Sequence, residues 1–153
     1  MPYRVRLAAT GDLADAGRLL DAFNREYDDP TPGPEAIAER LRVLIEEDTD
    51  LLLAGDGPDA LAVLRYRRSL WTPGREAYLA ELYVRPPLRG QGLGRALMER
   101  AIALAQERGA DGMDLNTSVD DTAARGLYES LGFTNLEGPG GPSMLFYELN
   151  WMG

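Results

Sequence analysis

Residues 80–101 read AELYVRPPLRGQGLGRALMERA: a strand-like apolar run, two prolines, glycines at positions 90, 92 and 94, then a segment with helical periodicity. Pro86 and Pro87 donate no N–H, so strand pairing should stop there. An interior glycine costs about 0.5–1 kcal/mol relative to alanine, so three in five residues need a reason: a ligand, a crossing backbone or a turn. Beyond them, Leu93, Leu97, Ala101, Leu104 and Ala105 share one helical face, and Gly109 marks the end of the helix. The unit is therefore strand, glycine-rich corner, helix.

Working outward, residues 3–8 (YRVRLA) alternate as a first strand. Thr10-Gly-Asp12 is placed to cap a helix carrying Leu13, Ala16, Leu19, Leu20 and Phe23. A polar loop, NREYDDPTPGP, precedes a second helix with Pro34 in its first turn and Ile37, Leu41 and Leu44 or Ile45 as its stripe. DLLLAG, the turn DGPD and ALAVLRYRRSL predict a hairpin over 50–70 turning at Asp56-Gly57, and Tyr78–Val84 predicts a third strand. After the central helix come a short strand over 112–117 and a helix over about 122–131 that stops at Gly132. A last hairpin pairs Phe133–Leu136 with Met144–Leu149 around EGPGGP. The order predicts one mixed α/β (α+β) domain over residues 1–153, with no internal repeat or linker.

The absences constrain the chemistry. The 153 residues contain no cysteine and no histidine, and all 16 basic residues are arginine. That excludes disulfides, thiolate metal sites, cysteinyl intermediates, an imidazole base, a lysine Schiff base and a P-loop lysine. No metal is expected. Asp, Glu, Tyr or the backbone must carry any catalysis. A net charge of −9 opposes general nucleic-acid binding and is compatible with a cationic partner such as an amine. No signal peptide or membrane-spanning run is apparent, so the default expectation is a cytoplasmic protein with no membrane partner.

A glycine corner ahead of a helix favours an anion, because free N–H groups and the helix dipole point outward there. The dinucleotide fingerprint G-x-G-x-x-G would need glycine at position 95, which is Arg95. What stands there is R-x-x-G-x-G, from Arg89 to Gly94. A tight helix-to-strand packing turn would also want glycine. Residues 80–101 resemble the acetyl-coenzyme A signature of the GNAT N-acetyltransferases. VDDTAARGLYESLGF, residues 119–133, resembles the later motif of the same family, in which a helix presents a tyrosine shortly before Gly-Phe.

The resemblance implies a mixed, mostly antiparallel, splayed sheet of six to seven strands flanked by about four helices. It implies acetyl-CoA as cosubstrate, with its diphosphate on the amides of Arg89, Gly90, Gln91, Gly92, Leu93, Gly94 and Arg95. The backbone of Leu82, Tyr83 and Val84 would pair with the pantetheine arm. Tyr128 carries over as the general acid toward the departing thiolate, also bordering the coenzyme. Glu81, on a strand face that alternation shares with Leu79 and Tyr83, carries over as the base that deprotonates the amine; a partly solvated strand glutamate is the alternative. Where the family often has asparagine contacting the pantetheine, this chain has Asp121, which cannot donate as an amide does, and the role falls to Asp121 or to Asn116. Glu26, Tyr27, Asp28 and Asp29 lie in a loop where the family's acceptor pocket is bordered.

The expected activity is transfer of an acetyl group to a primary amine of a small molecule, by direct attack in a ternary complex. A protein or peptide N-terminal acetyltransferase and a non-catalytic acyl-CoA-binding sensor are the alternatives. The resemblance leaves homodimerisation open.

Overall fold

A computed structural model describes residues 3–152; residues 1, 2 and 153, the ends of the expected 1–153 domain, lie outside the described residues. The chain divides into two compact units, residues 1–115 and 116–153.

The first unit runs β1 (Val5–Leu7), α1 (Leu13–Glu26), α2 (Pro34–Leu44), β2 (Thr49–Ala54), β3 (Ala60–Arg68), β4 (Arg75–Val84), α3 (Leu93–Glu107) and β5 (Ala110–Asp114). Its sheet has the order β1-β2-β3-β4-β5, antiparallel except for the parallel β4–β5 pair. That parallel step is the one requiring a crossover, and α3 supplies it.

The helices start and stop for local reasons. Residues 10–12 form a short 3-10 turn rather than capping α1 through a side chain. Asp12 instead accepts the Ala9 N–H at 2.8 Å and pairs with Arg6 through both oxygens, at 2.8 and 2.9 Å. These bonds hold its carboxyl down at about 2, the Arg6 bond first and the Ala9 bond second. Pro34 opens α2 as expected. Gly109 (φ +84°) follows the end of α3. The β2–β3 connection turns over residues 55–59, with Asp59 N–H bonding Ala54 O at 2.9 Å. Its positive-φ glycine is Gly55 (φ +85°), so the left-handed position is not in the expected Asp56-Gly57 pair.

Two apolar layers cover the sheet. On one face Leu13, Ala16 and Leu19 of α1 and Leu41 of α2 pack on Leu51, Leu53, Leu61, Val63 and Tyr83. The opposite face, on which α3 lies, carries Leu52, Ala62 and Leu64, and α3 contributes the buried Leu93, Leu97, Met98, Ala101, Leu104 and Ala105. At its rim Arg108 binds Asp50 at 3.0 and 3.2 Å while Tyr66 donates to the same carboxylate at 2.8 Å.

The strand register corrects the simple alternation of β4. Val63 faces Glu81, but the next pair is Leu64 with Leu79, leaving Ala80 as one extra residue. Residues paired across an antiparallel ladder share a face, so Glu81 and Tyr83 lie with Val63 and Leu61 on the α1–α2 side. Leu79 lies with Leu64 on the α3 side, not with Glu81 as strict alternation would have it. A bulge moves one stretch of a strand to the other face in this way.

Among its described residues the second unit holds one helix, α4 (Thr122–Ser130), followed by Gly132 at φ +99°. The expected closing hairpin does not form as strands. A single antiparallel bridge, Leu136 to Ser143, closes the EGPGGP turn, and Leu145, Phe146, Tyr147 and Leu149 are exposed. Among the described residues the sheet therefore has five strands rather than six or seven. Among the described residues, no helix is long and apolar enough to cross a membrane.

The bulge makes a testable statement about packing. Leu79→Ala should cost about 2–4 kcal/mol, as a buried leucine truncation does. In double-mutant cycles read by urea unfolding it should couple to Leu64→Ala by more than about 0.5 kcal/mol and add independently to Val63→Ala. The reverse pattern would place Leu79 on the Glu81 face.

Candidate active site

β5 pairs with β4 only from Arg75 to Tyr78. Beyond that point the β5-side edge of β4, Leu79 to Val84, has no strand partner among the described residues. The phase of the ladder follows from one bond, Arg85 N–H to Asp59 O at 3.0 Å. Beyond the bulge it turns the backbone groups of Glu81 and Tyr83 toward β3, and those of Leu82 and Val84 toward the open edge. The Val84 carbonyl accepts Arg89 Nε at 2.9 Å. The groups of Leu82 and the Val84 N–H are thus the ones an extended ligand could meet as an added strand.

The chain then turns through the 3-10 segment Pro86–Leu88 into the glycine corner. Gly90 (φ +77°) and Gly92 (φ +91°) both adopt left-handed backbone, which glycine alone enters without penalty. A Cβ built at Gly90 would meet nothing within 4 Å, and one at Gly92 only the Tyr3 ring at 4.0 Å. A tight helix-to-strand packing turn would fill that space with protein. Here the glycines face an opening.

Gly92 is the N-cap of α3 and no side chain caps this helix start. The first amides of α3 are therefore available to an anion. Leu93 is buried and anchors the helix, while Gly94 lies within the helix. A groove of about 560 Å³ runs alongside, lined by Tyr3, Gln91, Gly92, Arg95 and Arg100 among others. The open corner, the uncapped helix start and the unpaired strand edge fit a ligand with a diphosphate and an amide-bearing arm.

Arg89 does not point its charge into that opening. Its Nη1 and Nη2 bind Glu26 Oε2 and Oε1 at 2.7 and 2.8 Å, and its guanidinium lies 5.5 Å from the centre of the Tyr83 ring. The Tyr83 hydroxyl donates to Glu26 Oε1 at 3.1 Å, and its ring stacks on Phe23 at 4.8 Å. Hydrogen bonding to Arg89 lowers the Glu26 carboxyl below its ordinary value. Glu26 reads as an acceptor-loop acid from sequence, but it is the partner of the glycine corner. Nothing local in the sequence joins residues 63 positions apart.

Glu81 keeps access to solvent, yet the protein around it raises its carboxyl above the ordinary range, and the charge of Asp29 adds to the effect. Asp29 belongs to the loop after α1, in which Asp28 has φ +56°. Glu81 and that loop, distant in sequence, are thus coupled through the charge of Asp29.

Asn116, Asp121 and Tyr128 belong to the second unit. Asn116 lies beyond the end of β5, not at the end of a strand reaching residue 117. Asp121 is the N-cap of α4, its Oδ1 accepting the Ala124 N–H at 3.1 Å. Tyr128 is buried, with the Phe133 ring edge-on at 5.9 Å. Burial first, and Asp121 second, push its phenol up to about 12. Among the described residues, no group of three or more carboxylates is placed to hold a metal ion.

The first unit thus sets an unpaired strand edge beside an open glycine corner at an uncapped helix start, backbone features suited to an anionic ligand with an extended arm. The particular family follows from comparison with known proteins: the chain belongs to the Acetyltransferase (GNAT) family, whose pattern matches residues 17–133. It is 34% identical over 145 residues to the thialysine N-epsilon-acetyltransferase of Bos taurus, covering 86% of this chain and 84% of the bovine one. It is 32% identical over 136 residues to the mycothiol acetyltransferase of Gordonia bronchialis, 84% of this chain and 43% of that one. This chain spans only about a quarter to under a half of the mycothiol acetyltransferases it matches. A solved structure from Arthrobacter sp. FB24, assigned to the acetyltransferases, superposes with TM-score 0.88 at 43% identity, covering 96% of this chain and 95% of that one.

The Glu81 environment has a stability consequence. A carboxyl raised in the folded state is neutral, and costs nothing, below its unfolded value. Its contribution turns unfavourable as pH rises through the folded value. Glu81→Gln should therefore raise Tm at pH 7–8 and leave it unchanged below about pH 4, where Glu81 is protonated in both states. Equal shifts at both pH values would show that the carboxyl is not perturbed.

Proposed function

We propose that the chain is an acetyl-CoA-dependent N-acetyltransferase acting on a primary amine of a small molecule, with the two units forming one acetyltransferase domain. The observation that carries this reading is the pair of left-handed glycines facing open space at the uncapped start of α3, next to the unpaired edge of β4. Acetyl-CoA supplies the acetyl group already activated as a thioester.

In this reading the amides from Arg89 to Arg95 receive the diphosphate, and the α3 N-terminus adds a favourable partial charge. Leu82 and Val84 align the pantetheine arm through their edge-facing backbone groups, with Tyr83 between them. The Val84 N–H can polarise the carbonyl under attack. The contact to the arm that the family resemblance gives to an asparagine falls in this reading to Asp121 or to Asn116.

Glu81 takes the proton of the attacking amine. A carboxylate held above its ordinary pKa is a stronger base than an unperturbed one, so the direction of its shift favours that role. Tyr128 supplies the proton at the other end. At about 12 its phenol stays protonated at neutral pH. Complete transfer to a free thiolate of pKa near 8.5 would be uphill by about 3.5 pKa units. Tyr128 therefore acts by hydrogen-bonding the sulfur as charge develops, its proton moving as the bond breaks and being replaced from solvent. The name of the bovine relative, an N-epsilon-acetyltransferase of thialysine, supports a small amine as acceptor.

Acetyl-CoA at about 100 times its Kd should stabilise the protein by about 2.7 kcal/mol, a rise of several degrees in Tm. No shift at saturating concentration would overturn the coenzyme reading. With an amine identified by thiol release, Tyr128→Phe should lower kcat about 10²-fold while preserving the acetyl-CoA-induced Tm shift. Unchanged turnover would remove Tyr128 from the reaction.

A further inference from the structure

Arg89 is the first residue of the R-x-x-G-x-G pattern, and an arginine beside a phosphate loop invites the reading that its charge grips the phosphate. The structure directs it elsewhere. A guanidinium binds an oxyanion best through two parallel N–H groups. The Nη1–Nη2 edge of Arg89 is engaged in that way with Glu26, at 2.7 and 2.8 Å. Nε is spent on the Val84 carbonyl at 2.9 Å. The ring of Tyr83 lies against the guanidinium, and the Tyr83 hydroxyl is a further donor to Glu26. The Glu26 carboxylate also offsets the arginine charge, so little net attraction is left for a diphosphate.

The same bonds hold the backbone. Nε to Val84 O closes the turn from the end of β4 to the start of the glycine corner. The Glu26 bond fastens that turn to the last residue of α1, itself seated on the sheet through Phe23 and Tyr83. Left-handed glycines have no side chains to keep them in place, and an unsupported loop would pay the ordering cost on each binding event.

We propose that Arg89 and Glu26 are positioning residues: a bidentate tie that holds the glycine corner in its coenzyme-ready shape, with Arg89 acting through the loop backbone and not by direct contact with phosphate. This rests on the coenzyme reading above.

The test measures the Kd of coenzyme A by calorimetry for wild type, Glu26→Gln, Arg89→Gln and the double variant. Hydrogen exchange of the 89–95 amides is followed in the ligand-free proteins. Losing the tie removes the pre-organisation of the corner, so each single variant should weaken binding about tenfold and speed exchange of the corner. The double variant should be no weaker than the worse single one, because the two residues act as a unit. Arg89→Lys, which keeps the charge and loses the fork, should behave like Arg89→Gln, and Glu26→Asp should recover part of the affinity. Ligand-free Tm within a few degrees of wild type shows that the fold persists; if Gln at position 26 unfolds the chain, the Asp and Lys variants carry the comparison.

Direct phosphate contact gives the opposite result. Glu26→Gln would then free the arginine and leave coenzyme affinity equal or tighter, and Arg89→Lys would retain most of it. Either outcome overturns the tie. Failure of wild type itself to bind coenzyme A would instead overturn the coenzyme reading, while wild-type binding with unaltered variants overturns only this proposal.

Discussion

The rest of the first unit depends on one inserted residue in β4. With Ala80 left over between the Val63–Glu81 and Leu64–Leu79 pairs, the strand is two half-strands of opposite phase. The first half gives Ala77 and Leu79 to the layer under α3, and the second gives Tyr83 to the layer under α1 and α2. Each half buries at least one large apolar side chain, Leu79 in the first and Tyr83 in the second. Glu81, in contrast, is turned to the α1–α2 side of the sheet, where the surrounding protein and Asp29 act on its charge. The bulge and the end of β4–β5 pairing occur within a few residues of each other, as expected where a bulge increases local twist. A carboxylate of raised pKa and an unpaired backbone edge thus lie within a few residues of the same departure from ladder geometry.

Arginine is the only basic side chain available, and the structure uses its geometry as well as its charge. Arg89 on Glu26 and Arg108 on Asp50 each bind a carboxylate through two nitrogens, and each carboxylate also accepts a tyrosine hydroxyl. The pattern joins the end of a helix to the sheet twice, on opposite faces. A lysine ammonium could replace the charge in either place but not the fork. These partly exposed pairs contribute little to global stability. Their effect lies in fixing the relative position of two segments, which matters most where one of them is glycine-rich.

What was legible in the sequence was local. Pro86-Pro87 ending the strand, Gly90 and Gly92 before α3, Gly109 after it and Gly132 after α4 all depend on backbone preferences within a few residues, and all stand in the structure. The bulge was not legible, because YLAELYV reads as a continuous alternating strand until the partner strand is known. The tie from Arg89 to Glu26 spans 63 residues and leaves no periodic trace. The closing hairpin failed for a related reason: Met144–Leu149 has strand-like composition, but β-propensity is realised only against a partner strand, and the single Leu136–Ser143 bridge is all that forms.

The same distinction separates a ligand held by backbone groups from one held by side chains. A ligand held by backbone amides and a strand edge requires special φ values, prolines and glycines, and these mark the sequence. A ligand held by side chains on a loop requires only that the loop be shaped, which many compositions achieve. The loop after α1 shows the difference: Asp28 occupies left-handed backbone without being glycine, a conformation aspartate tolerates better than most residues. Glu26 immediately precedes this loop and is fixed by the glycine corner, while Asp29 within it acts on Glu81. The start of this loop therefore takes its position from the glycine corner, through the bond of Glu26 to Arg89.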